Sequence, residues 1–250
     1  MRIARIDNIS GAAYRLIQPD FPVVWLEQSP AETTEAMARG RCDAALLPVA
    51  ELPRLAGLIK PLGPYGIAAR GPVRSVLLLS RCPVEEIERV YITPQSRTAR
   101  ALFLTLCRVS YGAEPMLVAD PSQADARVVI GDEALLLSLE NEEPVTVDLP
   151  EWWHRATGLP FVFAQWVVRR SASEKLRERL RAWLERCAAF AEAPAGREAM
   201  SGEVLRLGYS QAFALEYYAG IQYRLDSEHG LAMAAFLSLQ ERGLPWAMNG

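Results

Sequence analysis

Histidine is almost missing from this chain of 250 residues. His154 and His229 are the only two, 75 positions apart. A histidine-based metal site or a Ser-His-Asp triad therefore has little to be built from. Lysine is as scarce: of 27 basic residues all but Lys60 and Lys175 are arginine. Codon usage explains that bias, and arginine suits carboxylate recognition where it lines a cleft. The four cysteines, Cys42, Cys82, Cys107 and Cys187, show neither zinc-knuckle nor redox-pair spacing and read as buried, reduced thiols. The longest apolar runs, Ala44–Ala50 (counting Pro48) and Leu231–Leu237, cover seven residues each. A membrane-spanning helix needs about 20, so no membrane partner is expected. A net charge of −3 without a basic block argues against nucleic acid as a partner. The sequence contains no G-x-G-x-x-G, no G-x-x-x-x-G-K-[ST] and no G-x-S-x-G.

What is present is enough apolar material, half of the residues, to bury one large core or two modest ones. Met1–Asp7 is basic but has no signal-peptide apolar region and reads as opening directly with a strand, so a cytoplasmic location is expected. The first half alternates strands and helices. Arg2–Ile6, Val23–Leu26 and Cys42–Leu47 read as strands, and Pro30–Arg39 as a helix capped by Ser29 and closed by Gly40. The rhythm implies α/β architecture with parallel sheets. Val73–Ser80 is apolar enough for a central strand, and Pro83–Glu88 reads as a short acidic helix.

A second α/β block follows. It runs from a strand at Val90–Thr93 through a turn at Pro94–Ser96 and a helix from Arg97 to about Ser110. Further strands are expected at Pro115–Val118, Ala126–Gly131, Val145–Leu149 and Leu159–Arg169. The last third is helical: Ser171–Glu174 has capping-box spacing ahead of a long amphipathic helix. Further helices are expected at Ser210–Ala219 and Asp226–Arg242, the last ended by Gly243 and Pro245. With no linker between the blocks, the chain is expected to leave one lobe, build a second and return. Lobe 1 would be 1–80 plus 170–250 and lobe 2 would be 81–169, with a ligand held between them.

Four stretches stand out as candidate chemistry. In Thr93–Thr98, between a strand and a helix, Ser96, Arg97 and Thr98 surround free amides and the positive end of a helix dipole, a receptor for a carboxylate. Most N-cap serines bind nothing but their own helix, so Ser96 reads first as a plain cap. In Gly71–Val76, Ser75 opens an apolar strand beside Arg74. Strand alternation sends these two to opposite faces unless the backbone bulges. In Gly131–Ala134, Gly131 permits close backbone approach and Asp132 is either a cap or a cleft-facing acid. In Gly158–Trp166, the aromatics, Phe163 among them, either line a slot for a ring or fill a core. No cofactor and no metal are called for.

Taken together, the motifs resemble the chorismate dehydratase family of the futalosine route to menaquinone. The resemblance rests on C-D-A-A-L-L-P at 42–48, G-P-V-R-S-V-L-L-L-S at 71–80 and S-R-T at 96–98. I-G-D-E-A-L at 130–135 and T-G-L-P-F-V-F-A-Q-W at 157–166 extend it. It implies a two-lobed, type II periplasmic-binding-protein-like fold and a carbon–oxygen lyase. Such an enzyme removes water from chorismate, a small dicarboxylate, to give 3-[(1-carboxyvinyl)oxy]benzoate. By position, Ser75 falls on the family's functional serine, and Ser96 and Thr98 on the turn that holds a substrate carboxylate. The family's active-site asparagine falls on Ser10 here, with Asn8 two residues earlier. That departure opens a second reading, a binding protein for an aromatic or enolpyruvyl acid.

Overall fold

Strand formation follows the β-branched and leucine-rich runs. Along the chain the strands are β1 (Arg2–Ile6), β2 (Val24–Gln28), β3 (Ala44–Pro48), β4 (Ile59–Ala69), β5 (Val76–Ser80) and β6 (Arg89–Ile92). Then come β7 (Met116–Val118), β8 (Ala126–Ile130), β9 (Val145–Asp148), β10 (Phe161–Arg169) and β11 (Ile221–Arg224). The helices are α1 (Ala12–Leu16), α2 (Pro30–Ala38), α3 (Leu52–Leu55), α4 (Arg97–Tyr111) and α5 (Gly131–Glu140). They continue with α6 (Leu149–Thr157), α7 (Glu174–Glu192), α8 (Pro194–Leu205), α9 (Gln211–Gly220) and α10 (Ser227–Arg242). These assignments come from a computed structural model that describes residues 1–93, 96–140 and 145–242. The expected turn at Pro94–Gln95 and the Gly243–Pro245 stop lie outside the described residues.

The chain divides into two units, 1–68 with 162–226 and 69–161 with 227–250. This division differs from the expected lobes, and strand pairing gives the reason. β5 pairs with β8 and β9, so it belongs to the second unit rather than the first. Conversely, β10 pairs with β3 and so joins the first unit. α10 belongs to the second unit, where Phe236 meets Trp153 and Phe161 edge to face at 6.0 and 5.1 Å.

The two sheets are built on one plan. In the first, of order β11-β4-β10-β3-β1-β2, β1 lies between its parallel partners β2 and β3, and β10 runs antiparallel beside β3. In the second, β7-β6-β8-β5-β9, β6 lies between parallel β7 and β8, and β5 runs antiparallel beside β8. In each sheet the first of its three parallel strands is the middle one.

One cluster in the first unit joins Ala4, Ala45, Leu47 and Val167 to Met37, Cys42 and Ile59. A second, aromatic cluster sets Tyr14 against Trp166 and Tyr223 at 5.2 and 5.5 Å, with Trp166 against Trp183 at 5.3 Å. Edge-to-face pairs of this kind add about 0.5–1.5 kcal/mol each beyond area burial. Cys42, Cys107 and Cys187 are buried, and burial pushes the Cys42 and Cys107 thiols up to about 11 and about 12. Cys82 is half-buried.

Local signals acted largely as the sequence indicates. Ser29 and Glu32 form a reciprocal capping box on α2, and Gly112 closes α4 in the left-handed region. Three expectations shift. The cap of α7 is Ser173, which accepts from the Leu176 amide, so the Ser171 box is not the one used. The expected helix at Pro83–Glu88 is a 3-10 turn, Val84–Glu86. The run from Val73 becomes a strand only at Val76, because Arg74 sits at φ +57°.

Candidate active site

In the second unit, the carboxyl ends of β6, β8 and β9 and the amino end of β5 lie at one end of the sheet. The register fixes this, with Ile92 opposite Val128, Val76 opposite Ile130 and Leu77 opposite Asp148. In open α/β sheets ligands bind outside the carboxyl ends of the strands, where the strand order reverses. Ser96, Arg97 and Thr98 follow β6, Gly131 and Asp132 follow β8, and Ser75 precedes β5. The five-stranded sheet thus brings six of the candidate residues to this one end.

Ser96 is the N-cap residue of α4, yet its side chain makes no capping hydrogen bond. Its amide donates to the Thr93 carbonyl and its carbonyl accepts from Arg100, both at 3.0 Å. Ser96 and Thr98 are both buried, and the first turn of α4 carries no acidic residue. Its positive end is thus left for an outside anion. α5 differs. Asp132 is exposed and shares the first turn with Glu133, so two carboxylates already answer that helix dipole. Asp132 lies inside α5 and so is not its N-cap, and of the two helices α4 is the one with no acid in its first turn. Gly131 takes φ +63°, a left-handed conformation that favours glycine, and its amide donates to the Ser75 carbonyl at 2.7 Å.

Ser75 is 7% exposed and ends the turn from Gly71. Arg74 at φ +57° breaks strand alternation there, which supplies the irregularity that Arg74 and Ser75 need to escape opposite faces. A left-handed non-glycine residue costs on the order of 1–2 kcal/mol. Asp148 answers it: one carboxylate oxygen accepts from the Val73 and Arg74 amides at 2.9 and 2.6 Å. The other caps α6 through the Glu151 amide at 3.0 Å. Burial raises the Asp148 carboxyl above its ordinary value, although these three amides pull the other way.

In the first unit, Asn8, Ser10 and Phe163 likewise gather at one sheet end. Asn8 and Ser10 follow β1, and Ala164 opposite Pro48 puts the start of β10 at the carboxyl end of β3. Asn8 caps the 3-10 turn Ile9–Gly11. Its Oδ1 accepts from the Gly11 amide at 3.2 Å and from the Ser10 hydroxyl at 2.9 Å. With both donors on Oδ1, the Nδ2 amide is turned to the other side. Tyr218 and Tyr223 donate to the Ile9 and Ser10 carbonyls at 3.2 and 2.9 Å, and Arg15 reaches the Asn8 carbonyl. Phe163 is half-buried, whereas Phe161 and Trp166 fill the cores of the second and first units. Phe161 and Trp166 therefore serve packing, and Phe163 is the least buried of the three.

Asp148, Tyr218 and Tyr223 were not singled out from sequence. Asp148 carries a local signal, Asp followed three residues later by Glu at a strand-to-helix junction. The two tyrosines carry none. His154 Nδ1 pairs with the Leu159 carbonyl at 3.1 Å, and His229 is buried in the first turn of α10. Among the described residues, no three or more His, Cys, Asp or Glu are grouped to hold a metal ion. No described helix is long and apolar enough to cross a membrane.

The pair of α/β units defines the class. The structure of AF1704 from Archaeoglobus fulgidus aligns with a TM-score of 0.72 over 96% of each chain at 13% identity. The periplasmic aliphatic sulphonate binding protein SsuA of Escherichia coli aligns at 0.64 over 96% of this chain and 90% of its own, at 15% identity. A Candida albicans protein described as having the generic periplasmic binding protein fold aligns at 0.66, with 10% identity and coverage of 96% and 89%. The chain therefore has the periplasmic-binding-protein fold. Within that class it belongs to the menaquinone biosynthesis family, whose pattern matches residues 2–242. A chorismate dehydratase of Thermus thermophilus is 28% identical over 249 aligned positions, 89% of this chain and 88% of the relative. One from Campylobacter jejuni is 33% identical over 136 positions, 54% and 49% of the two chains.

Proposed function

We propose that this protein is a chorismate dehydratase, a carbon–oxygen lyase of menaquinone biosynthesis by the futalosine route, acting on its small dicarboxylate substrate in the cytoplasm. The observation that carries the reading is the amino end of α4, where buried Ser96 leaves its own helix uncapped. Family membership and the Thermus relative support the same conclusion.

The chemistry asks little of ionisable side chains. A ring C–H bond breaks, its electron pair forms a ring double bond, and the C–O bond to the neighbouring hydroxyl breaks. Proton and hydroxide leave as water and the cyclohexadiene becomes aromatic, so the product side is strongly downhill. The protein's part is to fix two carboxylates, orient the ring and stabilise the departing oxygen. In this reading Ser96, Thr98 and the first amides of α4 hold a carboxylate, with Arg97 adding positive charge. Ser75 and the backbone at Gly131 orient the ring, and Phe163 supplies an apolar face. A substrate carboxylate takes the proton.

Asn8 and Ser10 act at the departing hydroxyl. The family's asparagine position holds Ser10, but the Ser10 hydroxyl bonds Asn8 Oδ1 and so presents the Asn8 amide. An amide donor is thus retained, which favours turnover over the binding-protein reading. Purified protein incubated with chorismate should change its ultraviolet spectrum to that of an aromatic product. Chorismate unchanged after hours rejects the proposal. Ser75→Ala should lower kcat about 100-fold, the usual loss when a transition-state hydrogen bond is removed. Ser96→Ala should act mainly on KM. Activity that appears only after Ser10→Asn would instead establish the binding-protein reading.

A further inference from the structure

Asp148 is a carboxylate that its local role does not explain. Capping α6 takes one acceptor oxygen, which Ser, Thr or Asn supplies without burying a charge. Asp148 is 8% exposed and uses both oxygens, one on Glu151 and the other on two successive amides from a turn 75 residues earlier. Only a carboxylate offers acceptors in both directions; an asparagine would turn its NH2 toward one set of donors. The turn it grips holds the only described non-glycine residue with positive φ, Arg74, directly ahead of Ser75. On the far side of Ser75, the Gly131 amide holds the Ser75 carbonyl. Pairing of Asp148 with Leu77 keeps the carboxylate in register with β5.

We propose that Asp148 is a positioning residue for the reaction. It holds Val73 and Arg74 in the bent conformation that delivers Ser75 to the substrate, and capping α6 is its second task. The proposal rests on the reading of Ser75 given above. Asp148 touches no substrate and acts through the backbone.

The test uses the full chain and three readouts: steady-state kinetics with chorismate, deuterium uptake of the 70–76 segment, and thermal midpoint. Asp148→Ala should lower kcat about tenfold or more while KM moves less than about threefold, and speed exchange at the Val73 and Arg74 amides. Asp148→Asn, which keeps one acceptor oxygen, should fall between wild type and Asp148→Ala; it carries the test if the alanine variant does not fold. Glycine takes positive φ at little cost, so Arg74→Gly should restore several-fold activity to the Asp148 variants, with the single Arg74→Gly chain as their reference. A lower midpoint with unchanged kcat would reduce Asp148 to a helix cap and overturn the proposal, as would no recovery with Arg74→Gly. Should wild type leave chorismate untouched, the reading of Ser75 fails, and exchange alone judges the clamp. Unchanged uptake at 70–76 in Asp148→Asn then overturns it.

Discussion

The turn after β1 and the turn before β5 both sit at the candidate end of their sheets, but they are fastened in opposite senses. Tyrosine hydroxyls and a guanidinium donate to the carbonyls of the Asn8–Gly11 turn. A carboxylate accepts from the amides of the Gly71–Ser75 turn. The first arrangement consumes acceptors and leaves the Asn8 amide as a donor. The second consumes donors and adds negative charge beneath the serine. On the proposed reading, an anionic substrate is better received at α4, which bears no acid in its first turn, than beside Asp148. Sheets of one plan have been given ends of different polarity by a handful of side chains.

Three measurements would break or sharpen that contrast. The largest effect should come from Asn8→Ala, which removes the presented donor and should cost about 100-fold in kcat, against about fivefold or less for Ser10→Ala. Equal losses would mean that Ser10 itself meets the substrate. Tyr223→Phe should be felt as stability: the Ser10 carbonyl loses its phenol donor, at about 1–2 kcal/mol in urea unfolding. An unchanged midpoint would show that the first turn does not depend on this hydroxyl.

The smallest effect is a pair of opposed pH slopes. Asp148 holds its proton more tightly folded than unfolded, so its contribution to stability declines as pH rises from the ordinary 3.8 through its raised value. Glu185, in the first unit, is held down to about 2 by Arg224 and the Tyr65 hydroxyl. Its contribution is present above 4.5 and is lost as pH falls through about 2. Urea midpoints against pH should therefore flatten in opposite directions for Asp148→Asn and Glu185→Gln. Glu185 is solvent-exposed, so its part should be the weaker.

Much of this was legible in sequence where the deciding interaction is local. Ser29 with Glu32, Gly112 after α4 and the apolar faces of α4 and α7 depend on residues within a few positions. β4 was not legible. Lys60-Pro61-Leu62-Gly63-Pro64-Tyr65-Gly66, with two prolines and two glycines, carries no strand signal, yet it is a strand. A Cβ at Gly66 would lie 2.3 Å from the Ala164 carbonyl of β10, so the glycine marks close strand approach. The lobe limits failed for a like reason, since membership of β5 and β10 is set by pairing partners dozens of residues away. For the site, the motifs named the candidate residue types, and the register of the five-stranded sheet sets Ser75, Ser96 and Thr98 at one end. What holds them was hidden, because the reach from Asp148 to Val73 and from Tyr223 to Ser10 leaves no periodic trace.

The unequal burial of the four thiols has a practical consequence. Alkylating reagents attack thiolate, and three of the sulfurs are shielded, two of them with their ionisation pushed up to about 11 and about 12. A maleimide dye added to the native chain should accordingly attach at Cys82, just past the end of β5. A fluorescent reporter two residues beyond the strand that Ser75 introduces thus needs no engineered cysteine.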